Sequence, residues 1–366
     1  MPGVRETSGL KSALQSVLIV ANSGRMLANA VRSAGYQPLV IDLFADQDTQ
    51  AIAERVWQVE ELSLVLVQKA VESLLLTYKI QWIVYGSGLE NFPETFEYLA
   101  GCSVIMGNDF SVIQRLHAKK TFFKQLDALD IPYPAVRFYP PGSNAGWLIK
   151  PTYHAGGVGI RYCDRVAGEN EYYQKFCPGE AGSVLFCADG EQFDIIGFHR
   201  QWTLAEDDFT FAGIIKEACI PEELERTLHK WLDKLVRFYH LQGLASLDFI
   251  YNAAYCYFLE INPRPPASMM LYPEFDLFGA HRTGRFLKAT EQKTIRALQI
   301  VYAKEACVIP SGIKWPQWSY DKPKYTTSIQ IGAPICSIMA HGKTVQQVLA
   351  RLQAKQIKIE EFILNR

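Results

Sequence analysis

The chain has 366 residues, 49% apolar and 20% charged, with a formal net charge of −1, which is length enough for two or three domains with cores of their own. It has no basic run of the kind that nucleic acid or an anionic membrane needs, and no apolar run long enough to span a bilayer. Eight cysteines (Cys102, Cys163, Cys177, Cys187, Cys219, Cys256, Cys307, Cys336) form no CxxC pair and no zinc-spaced cluster with histidine, which fits a reduced, cytoplasmic compartment.

Residues 1–15 lack the apolar core of a signal peptide and read as a loose tail. Short β-prone runs then alternate with helical patterns: SVLIV, GRMLANAVRSAG, QPLVIDLFA, LSLVLVQKAVESLLLTY, QWIVYG and CSVIMG. That alternation predicts a parallel, doubly wound α/β sheet over residues 16–106. Ligands in such sheets sit beyond the carboxyl ends of the strands, so the loops ANSGRML and GSGLENF are candidate site loops. The first is no dinucleotide fingerprint, because Gly24 is its only glycine, although Asp42 stands where a ribose-binding acid would. In the second, Glu90 and Asn91 read equally as contacts to a substrate amine or as a helix cap.

IQRLHAKKTFFKQLDALD reads as one helix ending before Pro132, with Phe123, Leu126 and Leu129 on its apolar face. The turn-rich PPGSNAG leads into the strand WLIKP and the glycine-rich TYHAGGVGIRY. Lys150 closing a β-run before Gly156, Gly157 and Gly159 suits a loop whose backbone N–H groups close over phosphates; a plain hairpin turn has the same composition. It is not a Walker loop, and Gly342-Lys343-Thr344 lacks that motif's upstream glycine. His154 in the glycine loop, and His199 and Arg200 in GFHRQW, are open between surface and substrate roles. Trp202 and the phenylalanines of DFTFAG are open between an acceptor wall and core.

A hairpin is expected around Asp189-Gly190. An amphipathic helix follows, with Leu224, Leu228, Trp231, Leu232 and Leu235 on one side. ASLDFIYNAAYCYFLEINPR is a second hairpin. Side chains two apart on a strand share a face, so Glu260, Asn262 and Arg264 aim into one space. Asp248, twelve residues before Glu260, joins them if the strands pair around YNAA. Two carboxylates and an amide oxygen make a hard-oxygen site suited to Mg²⁺. A solvated strand end with an incidental ion pair reads the same way. The tail from about Ala289 carries a strand, a turn and a helix.

Together these pieces resemble the ATP-grasp superfamily, in particular carboxylate–amine ligases related to biotin carboxylase; the likeness spans nearly the whole chain in the family's order. It implies a Rossmann-like pre-ATP-grasp domain at 16–106 and a two-lobed ATP-grasp domain at 107–288 with a lid lobe at about 141–205. A C-terminal subdomain at 289–366 would pack on that core. It also implies ATP with Mg²⁺, or Mn²⁺ in its place, small carboxylate and amine substrates, and room for a homodimer. Lys119, favoured over Lys120 by its spacing to IPYP, and Lys150 resemble the phosphate-binding lysines. Gln174, Lys175, Phe176, Cys177 and Glu180 resemble the adenine hinge, with the backbone of Lys175 and Cys177 on the base and Glu180 on the ribose. The family more often has Glu where this chain has Gln174. Asp248, Glu260 and Asn262 match the metal ligands, and Arg264 the arginine of the acyl-phosphate stage. The implied reaction joins a carboxylate to an amine. Alternatives are a carboxylase-type or phosphotransfer enzyme, or a non-catalytic nucleotide-binding relative.

Overall fold

A computed structural model describes residues 15–153, 155–217, 220–287 and 294–364. Residues 1–14 of the expected tail, His154, Cys219 and the expected boundary at 288/289 lie outside the described residues.

The first sheet takes strands β1 (Ser16–Val20), β2 (Gln37–Asp42), β3 (Arg55–Gln58), β4 (Ile80–Tyr85) and β5 (Val104–Ile105) in the order β3-β2-β1-β4-β5, all parallel. Helices α1 (Arg25–Ser33), α2 (Gln47–Ile52), α3 (Leu64–Leu75) and α4 (Pro93–Cys102) accompany it. Every residue of β1 is buried, as a central strand covered on both faces requires. The sequence pattern does not reveal β3 or α2: β3 is a partly exposed edge strand and α2 a short helix, so neither shows a full period. Proline in the first turn starts α4, where its missing N–H costs nothing.

The segment expected as one helix is two, α5 (Phe110–His117) and α6 (Lys119–Ala128), broken at Ala118 with ψ 65°. Both backbone groups of Ala118 stay paired across the break. Ala118 N donates to Gln114 O, and Ala118 O accepts from Thr121 N and Phe122 N. The elbow turns His117 and Lys119 toward one cleft, while Phe122, Phe123 and Leu126 keep the apolar face buried.

A four-stranded sheet follows, of β6 (Val136–Arg137), β7 (Trp147–Pro151), β8 (Arg161–Tyr162) and β9 (Glu171–Lys175), in the order β6-β9-β7-β8. The main sheet is antiparallel and has eight strands. It takes β10 (Glu180–Asp189), β11 (Phe193–Thr203), β12 (Phe211–Glu217), β13 (Gln242–Tyr251), β14 (Cys256–Asn262) and β15 (Ile295–Tyr302). β17 (Ser319–Tyr320) and β19 (Pro334–Gly342) complete the order β14-β13-β10-β11-β12-β15-β19-β17. β16 (Cys307–Val308) and β18 (Ser328–Ile329) pair separately. Helix α7 (Glu222–Tyr239) lays all five expected residues, Leu224 to Leu235, into a core with Val184, Phe186, Ala245 and Leu247. Each such leucine contributes about 1.5–3 kcal/mol. Helix α8 (Leu277–Thr283) packs on β13, and α9 (Val345–Leu364) on β15 and β19.

Two side chains of the first unit meet at one carbonyl of the segment after β14. Tyr85 Oη donates to Pro263 O at 2.8 Å and Asn108 Nδ2 to the same oxygen at 3.0 Å. Pro263 lies between Asn262 and Arg264, so this clamp fixes the strand end that the sequence singles out.

Candidate active site

Strands β13 and β14 pair so that Asp248 faces Glu260 directly; the register set by the turn would put Leu259 there, and a one-residue bulge at Leu259 brings Glu260 opposite instead. One polar row crosses five strands here: Lys216, His199, Ser183, Asp248 and Glu260 are successive cross-strand partners and share one face. Asn262 Nδ2 donates to Asp248 Oδ2 at 3.2 Å and to Glu260 Oε1 at 3.5 Å. Gln201 Nε2 holds the other Asp248 oxygen at 3.3 Å. Poor solvation and then the charge of Glu260 raise the Asp248 carboxyl above its ordinary range. Two carboxylates in this position repel each other unless a cation sits between them. Among the described residues no three His, Cys, Asp or Glu side chains gather as a metal cage. The two carboxylates, with the Asn262 amide turned over so that its oxygen leaves Arg264 and faces them, make a sparse hard-oxygen set, which fits Mg²⁺ sharing its other positions with phosphate and water.

Cations surround this pair. Arg264 is buried just past the end of β14, where Nε meets Glu90 Oε1 at 2.9 Å and Nη2 reaches Asn262 Oδ1 at 3.4 Å. Glu90 Oε2 accepts from Gly88 N at 2.7 Å, so Glu90 both braces its own loop and holds Arg264. Lys119, at the start of α6, donates to Leu116 O at 3.3 Å. Burial brings its ammonium down to about 8; Glu260 opposes that shift and Lys150 adds to it. Lys150 is buried on β7 opposite Tyr172 of β9, to which it is hydrogen-bonded.

Leu148 pairs with Gln174 as Lys150 pairs with Tyr172, and these four line the cleft on one face of the small sheet. Gln174 is buried and its Nε2 has no hydrogen-bond partner. The Lys175 amide is already committed to Ala135 O at 2.8 Å, which leaves its carbonyl, not its N–H, for a ligand. The glycine loop docks on the β11–β12 connection. Gly156 O accepts from Phe211 N at 2.8 Å, and a Cβ on Gly157 would stand 1.9 Å from Phe209 O, so only glycine fits there. Phe176, Tyr162 and Phe209 form an aromatic triangle with centroids 5.6–6.2 Å apart, joining hinge, lid sheet and connection.

All of this surrounds one cleft of about 550 Å³. Its wall includes Lys119, Lys150, Gly156, Gly157, Gln174, Lys175, Phe176, Cys177, Asp248, Glu260, Asn262 and Arg264. Gly159 and Glu180 lie off the wall, and Glu180 instead accepts from Tyr251 Oη at 3.1 Å. Trp202, Phe209 and Phe211 line the cleft, whereas His199 is buried against Tyr272 Oη at 2.9 Å and Arg200 pairs with Glu217. Burial lowers the His199 imidazole to about 3, which makes it a neutral core group. Asp42 is no ribose acid: it is fully buried, accepting from Gly24 N at 3.0 Å and Ala45 N at 2.8 Å.

Gln201, His117 and Ser268 are among the lining residues that the sequence reading does not single out. Gln201 shares its strand face with His199, so strand alternation offered the signal. His117 and Ser268 are single polar residues without a pattern, and both carry buried polar atoms with no partner.

Residues 117–268 match the family model described as the ATP-grasp domain. Solved structures share the fold at low identity. Pyruvate carboxylase of Rhizobium etli matches 93% of this chain at TM-score 0.71 and 11% identity, and the chain spans 36% of that protein's length. The biotin carboxylase domain dimer of Hydrogenobacter thermophilus 2-oxoglutarate carboxylase, with MgADP, ADP and bicarbonate, matches at TM-score 0.73 and 11% identity over 94% of this chain and 90% of that one. N5-carboxyaminoimidazole synthetase of Staphylococcus aureus, with ADP, matches at TM-score 0.67 and 16% identity over 95% and 98%. No curated protein sequence matches the chain.

Proposed function

We propose that this protein is an ATP-dependent ligase that activates a carboxylate as an acyl phosphate for attack by an amine, a reading supported by the match of residues 117–268 to the ATP-grasp domain model. The products are an amide, ADP and phosphate. The observation that carries this reading is convergence: Lys119, Lys150, Asp248, Glu260, Asn262 and Arg264, from four separate elements and the segment just past β14, meet on one cleft wall.

Each side chain has a task that follows from its position. Asp248, Glu260 and the Asn262 oxygen would hold Mg²⁺, which when bound neutralises charge on the transferring phosphoryl group. Lys150 and Lys119 approach the same space from opposite lobes and offset phosphate charge. Gln174, the Lys175 carbonyl and Cys177 form the wall suited to a base. Arg264, held in orientation by Glu90, faces the developing negative charge as phosphate moves to the carboxylate and later leaves. This is catalysis by positioning and electrostatics, with no enzyme nucleophile.

The bicarbonate bound by the Hydrogenobacter thermophilus relative favours a second reading, in which bicarbonate is the carboxylate and the product is a carbamate. Phosphate release from ATP and Mg²⁺ should be measured across a matrix of carboxylates, bicarbonate among them, and amines, with products followed by mass spectrometry. Release that needs both a carboxylate and an amine, with an amide formed, supports the ligase. Dependence on bicarbonate selects the second reading. ATP binding without turnover on any combination overturns both.

A further inference from the structure

The proposed reaction has an unmet need. An attacking amine must lose a proton as its nitrogen bonds to the acyl carbon, and the groups named so far cannot take it. Asp248 and Glu260 face a cation site. Glu90 is held by Arg264 and Gly88, and Asp321 by Arg25 at 2.6 Å. Tyr172 is tied to Lys150, and the Cys177 thiol is raised by burial at the hinge end. Lys119 and Lys150 face the phosphate end, and the Lys175 ammonium donates to Ala145 O at 3.0 Å.

Among the described residues lining the cleft, one neutral base is left. His117 closes α5 at the elbow beside Lys119 and lines the cleft, with its Nδ1 buried and without a hydrogen-bond partner. Its ring lies 5.2 Å from that of Tyr153, at the root of the glycine loop. The charges acting on it are those of the reacting end: Lys119, Glu90, Glu260 and Arg264.

The geometry points to His117 as the proton acceptor for the attacking amine. This role rests on the ligase reading above. As the C–N bond forms, the amine's N–H proton passes to the unprotonated nitrogen of the His117 ring. The electron pair of the breaking C–O bond leaves with phosphate, and the imidazolium then returns the proton to that phosphate or to water. Atoms and charge balance without another reactant. Burial first, and then Lys119, lower the imidazole to about 4, so its lone pair is free at neutral pH. Phosphate charge placed against Lys119 and Arg264 offsets the cations that depress it, so basicity rises when the nucleotide is in place.

The test compares two nucleophiles on whichever carboxylate the phosphate-release matrix selects. Hydroxylamine is mostly unprotonated at neutral pH and captures an acyl phosphate as a hydroxamate without help from a base; an ordinary amine needs one. His117→Ala should lower amide formation about 10²–10⁴-fold, the range for losing a general base. Hydroxamate formation and calorimetric ATP affinity should stay within a few-fold of wild type. His117→Asn keeps a polar atom near the Nδ1 position but cannot take the proton, so it should behave like the alanine variant, and added imidazole should partly restore both. Equal losses with the two nucleophiles, or full amide synthesis by His117→Asn, would overturn the assignment while leaving the ligase in place. No hydroxamate from the wild-type protein with any carboxylate would remove the ligase reading itself, and the assignment with it.

Discussion

Arg264 shows how one side chain can be read from its partners. Glu90 takes its Nε and Asn262 its Nη2, so the guanidinium is oriented before any ligand arrives. A cation adds nothing to binding Mg²⁺, so its contribution should fall on the transition state. Arg264→Met is expected to lower turnover by about a hundredfold or more, the scale for one such electrostatic contact, with ATP affinity changed only a few-fold. Arg264→Lys should recover part of it, because lysine keeps the charge but loses the planar fork. Calorimetry beside a phosphate-release assay decides it, and equal losses in both would make Arg264 a nucleotide anchor. Lys119 gives a second prediction of a different kind. Its ammonium sits near 8 in the free protein, and phosphates favour the charged form. ATP binding should therefore take up a proton around pH 8 to 9 and weaken as pH rises through that window. Binding enthalpies in buffers of different ionisation heat will show the uptake. It should vanish in Lys119→Met, and its persistence there would place the titrating group elsewhere.

At the scale of elements, the glycine loop and the β13–β14 hairpin behave oppositely. The hairpin is built into an eight-stranded sheet, with its ligands set by register. The loop hangs from a four-stranded sheet and touches the main body through Gly156, Gly157 and the Phe176–Tyr162–Phe209 triangle. Few contacts mean a low local opening free energy, and phosphates that engage its N–H groups should raise it. ATP with Mg²⁺ should thus slow proteolytic cutting between residues 150 and 161 several-fold, while NAD should not. Protection by NAD alone would overturn the nucleotide assignment. The hairpin was legible in the sequence because period-two alternation and a short polar turn mark it, but the bulge at Leu259 that sets Glu260 opposite Asp248 was not, since the turn register alone pairs Asp248 with Leu259. The elbow at Ala118 was not legible. Helix periodicity runs straight through HAKKTFF, and the break is decided by packing against the rest of the fold. His117 was invisible for the same reason, since its place in the cleft depends on that break. Glu90 was half legible: its capping role was one of two readings, whereas its grip on Arg264 joins residues 174 apart, which local pattern cannot show.

For the whole molecule, the cleft is closed by parts distant in sequence, and charge placed where they meet sets how stability depends on pH. Arg25 from the first domain pairs with Asp321 at 2.6 Å and Asp48 at 3.6 Å, and lies 4.9 Å over the Tyr320 ring. Asp48 also accepts from the amides of Asp321 and Lys322 at 2.9 and 3.0 Å, holding Asp321 in a left-handed conformation at φ 53°. One guanidinium thus serves two acids, and Asp46 is buried beside them. Desolvation first, and then Asp321, Asp48 and Asp42, push its carboxyl up to about 8 against the pull of Arg25. The sign follows from linkage. The folded chain keeps a proton on Asp46 that the unfolded chain releases near pH 4, so stability is highest below that pH and declines as pH climbs toward 8. Asparagine has the same shape and no proton to lose. Asp46 caps α2 without a side-chain hydrogen bond, so little is forfeited by the change. Asp46→Asn should therefore be close to neutral at pH 4 and increasingly stabilising up to pH 8, by at most about 1.4 kcal/mol per pH unit. Urea unfolding of both proteins across that range measures it. A constant difference at every pH would mean that Asp46 is ionised in the folded chain and that Arg25 shields all three acids.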